Sequence, residues 1–105
     1  MTQLATTRAD VVATVEAIRS AILALGVSRL ALFGSVERNT ARVDSDVDFL
    51  VEFQPGSKTF ENLLALSDLL HAALGRRVEL VTTASLSPYL GPHILAEARD
   101  VLRAA

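Results

Sequence analysis

The sequence predicts an α/β domain in which a small mixed β-sheet is flanked by helices. Two observations carry that expectation. Short apolar runs of strand length, Arg29–Phe33, Val47–Phe53 and Arg77–Val81, alternate with longer segments whose apolar residues recur every three or four positions. Glycine or Pro-Gly stops lie between most of them, giving the order helix, strand, strand, helix, strand, helix.

Each element has its own local cause. Thr7-Arg8-Ala9-Asp10 reads as a capping box, a hydroxyl and an acid three residues apart satisfying the first free amides of a helix. Val11, Val15, Ile18, Ile22 and Leu25 then give one apolar stripe, so the spacing predicts a helix over 8–25, stopped by Gly26. Arg29–Phe33 is a short buried strand ending at Gly34. In Val47–Phe53 the period of two puts Asp46, Asp48, Leu50 and Glu52 on one side and Val47, Phe49, Val51 and Phe53 on the other. Gln54-Pro55-Gly56-Ser57 is a turn. Leu63, Leu66, Leu70 and Leu74 mark a second long helix closed by Gly75, and Arg77–Val81 is a third strand. Ser87-Pro88 opens a last helix on which Leu90, Ile94, Ala98 and Val101 share a face. A sheet of about three strands is near the lower limit for independent stability, so a partner is expected to cover one face.

Bulk properties narrow the classes further. With 105 residues, half of them apolar, the chain can build one core, and we expect one domain over 1–105 with its core at about 29–103. The absence of cysteine excludes disulfides and thiolate metal sites, and fits a reducing cytoplasm. Met1–Thr7 shows neither a basic nor an apolar leader region, so no signal peptide is expected. No apolar run approaches the roughly 20 residues that cross a bilayer. A net charge of −2 with scattered basic residues, the closest pair being Arg76-Arg77, argues against a long nucleic-acid substrate. It leaves a single nucleotide open, because magnesium and a few amides can meet that charge.

Two groups of residues carry chemistry. Gly34-Ser35 follows a strand directly: glycine permits a tight turn and close approach of a ligand, and serine suits the N-cap of a short helix. Amides and a hydroxyl there suit phosphate oxygens. Asp46 and Asp48 fall on one strand face, about 6–7 Å apart, and repel unless cations lie between them. Carboxylates are ligands magnesium prefers, and two aspartates leading into a strand contradict local propensity in the way a functional site does. Taken singly, an ordinary strand-to-helix turn and a solvated acidic loop remain open readings. Glu79, inside the apolar strand, faces either solvent or a metal, depending on whether its strand lies beside that of Asp48.

Other sites are excluded. Neither the P-loop pattern nor G-x-G-x-x-G is present. Asp44–Asp48 opens like a calcium loop, but Phe49 stands where that loop needs glycine and Pro55 where it needs glutamate. His71 and His93 are far apart and read as surface residues, so zinc is not expected.

The spacing Gly34-Ser35, ten residues, Asp46-x-Asp48 resembles the G-S-x(10)-D-x-D signature of the DNA polymerase β-like nucleotidyltransferases. More closely, Leu32–Arg38, Asp44–Phe53 and Arg77–Val81 resemble the minimal nucleotidyltransferases of prokaryotes, which are commonly antitoxin partners of HEPN-domain ribonuclease toxins. The resemblance implies transfer of AMP from ATP to a tyrosine of such a toxin. It implies that Gly34, Ser35 and Arg38 contact phosphate, that Asp46 and Asp48 hold two magnesium ions, and that Glu79 is the third carboxylate, activating the acceptor hydroxyl. The family more often has aspartate at the position of Glu79 and glycine at that of Asn39, where asparagine also accepts left-handed geometry. Competing expectations are a non-catalytic antitoxin acting by occlusion, and transfer to a small molecule or an RNA end.

Overall fold

The computed structural model describes residues 7–42 and 44–104. Most of Met1–Thr7, on which the expectation of no signal peptide rests, therefore lies outside the described residues. In chain order the elements are α1 (Arg8–Ala17), α2 (Arg19–Ala24), β1 (Val27–Phe33), α3 (Gly34–Glu37), β2 (Val47–Phe53), α4 (Phe60–Leu74), β3 (Val78–Thr82), a 3-10 turn (Thr83–Ser85), α5 (Gly91–Glu97) and β4 (Arg99–Arg103). The four strands lie in the order β3-β2-β1-β4. β1 is antiparallel to both β2 and β4, while β2 and β3 run parallel, so the sheet is mixed.

The apolar alternation of the strands sorts the helices into two layers. Leu30 and Leu32 of β1 and Val47, Phe49 and Val51 of β2 meet Val11 and Val15 of α1, Ile22 of α2 and Leu66, Leu70 and Leu74 of α4 in one buried cluster. The opposite face carries a smaller cluster, Ala31, Phe33 and Leu50, against which Leu86, Ile94 and Ala98 pack. α5 thus covers part of the face expected to await a partner.

Local chemistry explains the helix ends. Thr7 accepts the Asp10 amide at 3.1 Å and the Asp10 carboxylate accepts the Thr7 amide at 3.1 Å, completing the expected capping box. Thr59 caps α4 by accepting the Asn62 amide at 3.1 Å, and Gly75 ends that helix with φ 69°. Asn39 takes the left-handed conformation at φ 57°, and its Oδ1 accepts the Arg8 amide at 3.1 Å, tying the α3 exit to the start of α1.

Three sequence expectations need correction. The helix expected over 8–25 is two helices, because Ile18 turns out of helical geometry (φ −110°, ψ 18°) and its amide is shared between Thr14 O and Val15 O at 3.2 Å each. The last helix begins at Gly91 rather than Ser87 and ends at Glu97, and Val101 belongs to a fourth strand rather than to its face. Periodicity over so few residues cannot separate the two states. The long-range gain decides: β4 pairs with the otherwise open edge of β1 and sets Asp100 against Arg29, Nε to Oδ1 at 2.5 Å. The third correction is one of position: Ser35 lies inside α3, whose N-cap is Phe33, so its hydroxyl does not cap the helix.

Candidate active site

β1, β2 and β3 bring the predicted acidic residues to one end of one sheet face. Register pairs Phe33 with Asp48 across β1 and β2, and Asp48 with Glu79 across β2 and β3. Asp48 therefore lies in the middle, with the Gly34 turn to one side and Glu79 to the other. Asp46 is two residues earlier on the same face.

The Gly34 turn is built around Asp48. Gly34 has φ 79°, and a Cβ placed on it would run into Asp48 Oδ2. In the sequence this glycine suits a tight turn and close approach of a ligand. The structure adds that it also makes room for the aspartate itself. Ser35 follows, half-buried, and its carbonyl accepts the Thr40 amide at 2.9 Å, which closes the loop after α3.

Electrostatics single out Asp48. Partial burial, a hydrogen bond with Glu79 and repulsion from the Glu79 and Asp46 carboxylates push its pKa up to about 7, and only Arg38 acts in the other direction. A carboxyl pushed up by burial and neighbouring carboxylates marks a site where negative charge is crowded. Glu79 is solvent-exposed as a residue, yet its carboxyl meets Asp48. Its side chain therefore reaches both solvent and Asp48.

Asp46 has a cation beside it but no hydrogen bond at one oxygen. Its Oδ1 is buried and accepts no hydrogen bond. Arg77 Nε approaches that atom to 3.1 Å as an ion pair, outside hydrogen-bonding geometry. Among the described residues no three His, Cys, Asp or Glu side chains converge tightly enough to enclose an ion. The donors nevertheless fit magnesium in kind: hard carboxylate oxygens, one of them buried and unsatisfied, and no nitrogen or sulfur ligand.

Arg38 caps the C-terminal end of α3 and is ion-paired with Glu97 of α5, so the expected phosphate contact is held at the rim of the site by an acid from the far end of the chain. The sequence reading missed Glu97, Arg76 and Arg77. Glu97 carries no local signal, since its partner is distant in sequence. Arg76-Arg77 carries one: a basic pair interposed between a helix-stopping glycine and an apolar strand. His71 and His93 are exposed, as expected of surface residues.

A left-handed glycine turn beside clustered carboxylates is the arrangement expected of a nucleotidyltransferase from the sequence. The comparisons agree: the chain belongs to the nucleotidyltransferase domain family, whose model matches residues 15–101. Among its relatives is MJ0435 of Methanocaldococcus jannaschii, which carries the name of a protein adenylyltransferase; it is 43% identical over 81 residues, covering 77% of this chain and 86% of that one. Protein adenylyltransferase MntA of Thermococcus cleftensis is 39% identical over 72 residues, 69% of this chain and 72% of its own. The solved structure of a minimal nucleotidyltransferase superposes with a TM-score of 0.69 at 39% identity, covering 84% of this chain and 93% of that chain. The fold also matches a chain from the complex of a tri-AMPylated Shewanella oneidensis HEPN toxin with its MNT antitoxin, with a TM-score of 0.56 at 20% identity over 85% and 72% of the two chains. Among the described residues no helix is long and apolar enough to cross a membrane.

Proposed function

We propose that this chain is the antitoxin of a HEPN/MNT pair and transfers AMP from ATP to a tyrosine hydroxyl of its HEPN-domain toxin. The observation that carries the reading is the convergence of Asp46, Asp48 and Glu79 beside the Gly34 turn. The relatives named protein adenylyltransferases and the AMPylated toxin in the structural neighbour support it. A cysteine-free chain whose described residues hold no membrane-crossing helix suits the cytoplasm, where ATP and magnesium are plentiful.

In the proposed reaction the tyrosine oxygen attacks the α-phosphorus of ATP. A new phosphorus–oxygen bond forms, the bond to the bridging oxygen between the α- and β-phosphates breaks, and pyrophosphate leaves. Amides of the Gly34 turn and the Ser35 hydroxyl hold the triphosphate, and Arg38, released from Glu97, adds a charge-assisted contact. Asp46 and Asp48 would hold two magnesium ions and Glu79 one of them. The metal supplies charge neutralisation at the phosphates and lowers the pKa of the acceptor hydroxyl. Glu79, at the open side of the carboxylate cluster, takes the proton from the incoming hydroxyl. Positioning and electrostatics supply most of the rate, as in phosphoryl transfer generally.

The test is to co-express the chain with the HEPN-domain protein of a neighbouring gene and measure the partner's intact mass. A gain of whole AMP units, mapped to tyrosine and absent without the chain, is the expected result. An unmodified partner that is nonetheless silenced would establish occlusion instead.

A further inference from the structure

We propose that Arg76 is a positioning residue of the active site, a buried clamp that sets the backbone leading into Asp46. Arg76 is only 4% exposed, although arginine belongs at a protein surface. Its guanidinium reaches across to the segment before β2: Nε donates to Ser45 O at 3.2 Å, and Nη2 donates to both Ser45 O and Arg42 O. The turn it grips is already closed on itself. The Arg42 amide donates to Ser45 Oγ at 2.9 Å, and the Ser45 amide donates to Arg42 O at 3.0 Å.

The next residue continues the grip. The Arg77 carbonyl accepts the Val47 amide at 2.9 Å, and the Arg77 guanidinium lies 3.1 Å from Asp46 Oδ1. Two consecutive arginines therefore hold three consecutive residues: Ser45 by its carbonyl, Asp46 by its carboxylate and Val47 by its amide. Their place in the chain makes this possible. Gly75 turns the end of α4 in left-handed geometry, so Arg76 points under the turn before β2 while β3 runs on beside β2. Ser45 precedes Asp46, so fixing its carbonyl restricts the peptide plane from which the Asp46 side chain projects.

A lysine cannot replace this device. Arginine holds Ser45 O through both Nε and Nη2 while Nη2 also reaches Arg42 O, a two-nitrogen grip that a single ammonium nitrogen does not reproduce. Burying that group is costly, and the cost is placed next to a carboxylate that must be held in one orientation. We infer that the clamp raises metal affinity at Asp46 by pre-organising it, as outer residues do for metal ligands in general. This inference rests on the proposed nucleotidyl-transfer reading of the site.

The experiment compares the wild type with Arg76→Lys, which keeps the charge and the buried stem, in the full-length chain. Hydrogen exchange at the Ser45 and Val47 amides, measured without metal or nucleotide, is expected to accelerate about tenfold or more, while amides of β1 and α4 keep their rates. Manganese titrated in the presence of a non-hydrolysable ATP analogue, and followed by the electron paramagnetic resonance of the free ion, is expected to half-saturate at about tenfold higher concentration. A lowered melting temperature with the manganese midpoint and local exchange unchanged would overturn the proposal, because that pattern is merely structural. Arg76→Ala is the harsher variant; if it fails to fold, the lysine variant decides. A wild type that takes up no manganese with the analogue would contradict the nucleotidyl-transfer reading, and the proposal of a metal-positioning clamp falls with it. Faster exchange at Ser45 and Val47 would then show a purely structural brace.

Discussion

β2 carries two acids on the same face, Asp48 and Glu52, with Leu50 between them, and the two meet opposite surroundings. Around Glu52 the charges alternate. Arg29 of β1 lies 3.4 Å from Glu52 and 2.5 Å from Asp100, and Arg103 lies 3.0 Å from Asp100. Burial would raise the Asp100 pKa, but hydrogen bonds from Arg29 and Arg103 outweigh it and hold the carboxyl below the usual carboxylate range. Around Asp48 the neighbours are Glu79 and Asp46, and its pKa rises to about 7. One end of the face is matched for the fold; the other keeps three acids together, with Arg38 and Arg77 as its flanking cations. A strand register is indifferent to the sign of the charges it brings side by side. The mismatch at Asp48 is therefore a cost to stability retained for chemistry.

Substitutions can break or sharpen that contrast, starting with the site. Asp48→Asn is expected to lower AMP transfer by on the order of 10³-fold or more, since on the proposed reading it removes both a metal ligand and charge stabilisation at the reacting phosphate. Labelled ATP incubated with the purified partner would report it, and undiminished labelling would sink the assignment. Glu79→Ala is expected to slow transfer by about 10²-fold while binding of an ATP analogue, followed calorimetrically, persists. Equal loss of binding would mean that Glu79 serves to hold metal before the reaction. For Arg38→Ala, which also frees Glu97, we expect KM for ATP to rise about tenfold with kcat little changed. Steady-state kinetics would expose the opposite split.

The matched end predicts a small effect. Asp100→Asn should destabilise by less than about 1 kcal/mol in denaturant unfolding, because the pairs are partly exposed. Its carboxyl has a lowered folded pKa, so the stabilisation it provides is present above the unfolded value of 3.8 and fades as pH falls through the folded value. A variant as stable as the wild type at pH 7 would show that β4 is held by its backbone pairing and Leu102 alone.

The same contrast explains what could be read from the sequence. Asp46 and Asp48 stand out because acids leading into an apolar strand break a local pattern; Glu79 gains weight only from the family resemblance and from β3 lying beside β2. β1, β2 and α4 were equally plain, each being a short apolar run or a leucine stripe with a clear stop. β4 was read as helix because its fate depends on the vacant edge of β1 and on Arg29, some seventy residues away in the chain. The Arg38–Glu97 and Arg76–Ser45 contacts are likewise set by tertiary partners rather than by neighbours in sequence. What the sequence hides here is the support around the site rather than the site.

The central claim, that the acidic cluster is held against the stability of the fold, is tested most directly by denaturant unfolding of Asp48→Asn and wild type across pH, with divalent cations chelated. The folded pKa of Asp48, about 7, lies above the ordinary 3.8, so the folded wild type binds the extra proton, and its stability falls as pH rises between those values. The asparagine variant lacks that slope. Its advantage should grow from about pH 4 to pH 7 and then level off at on the order of 1 kcal/mol, once solvent screening is allowed for. An asparagine variant no more stable than the wild type at pH 8 would contradict the account.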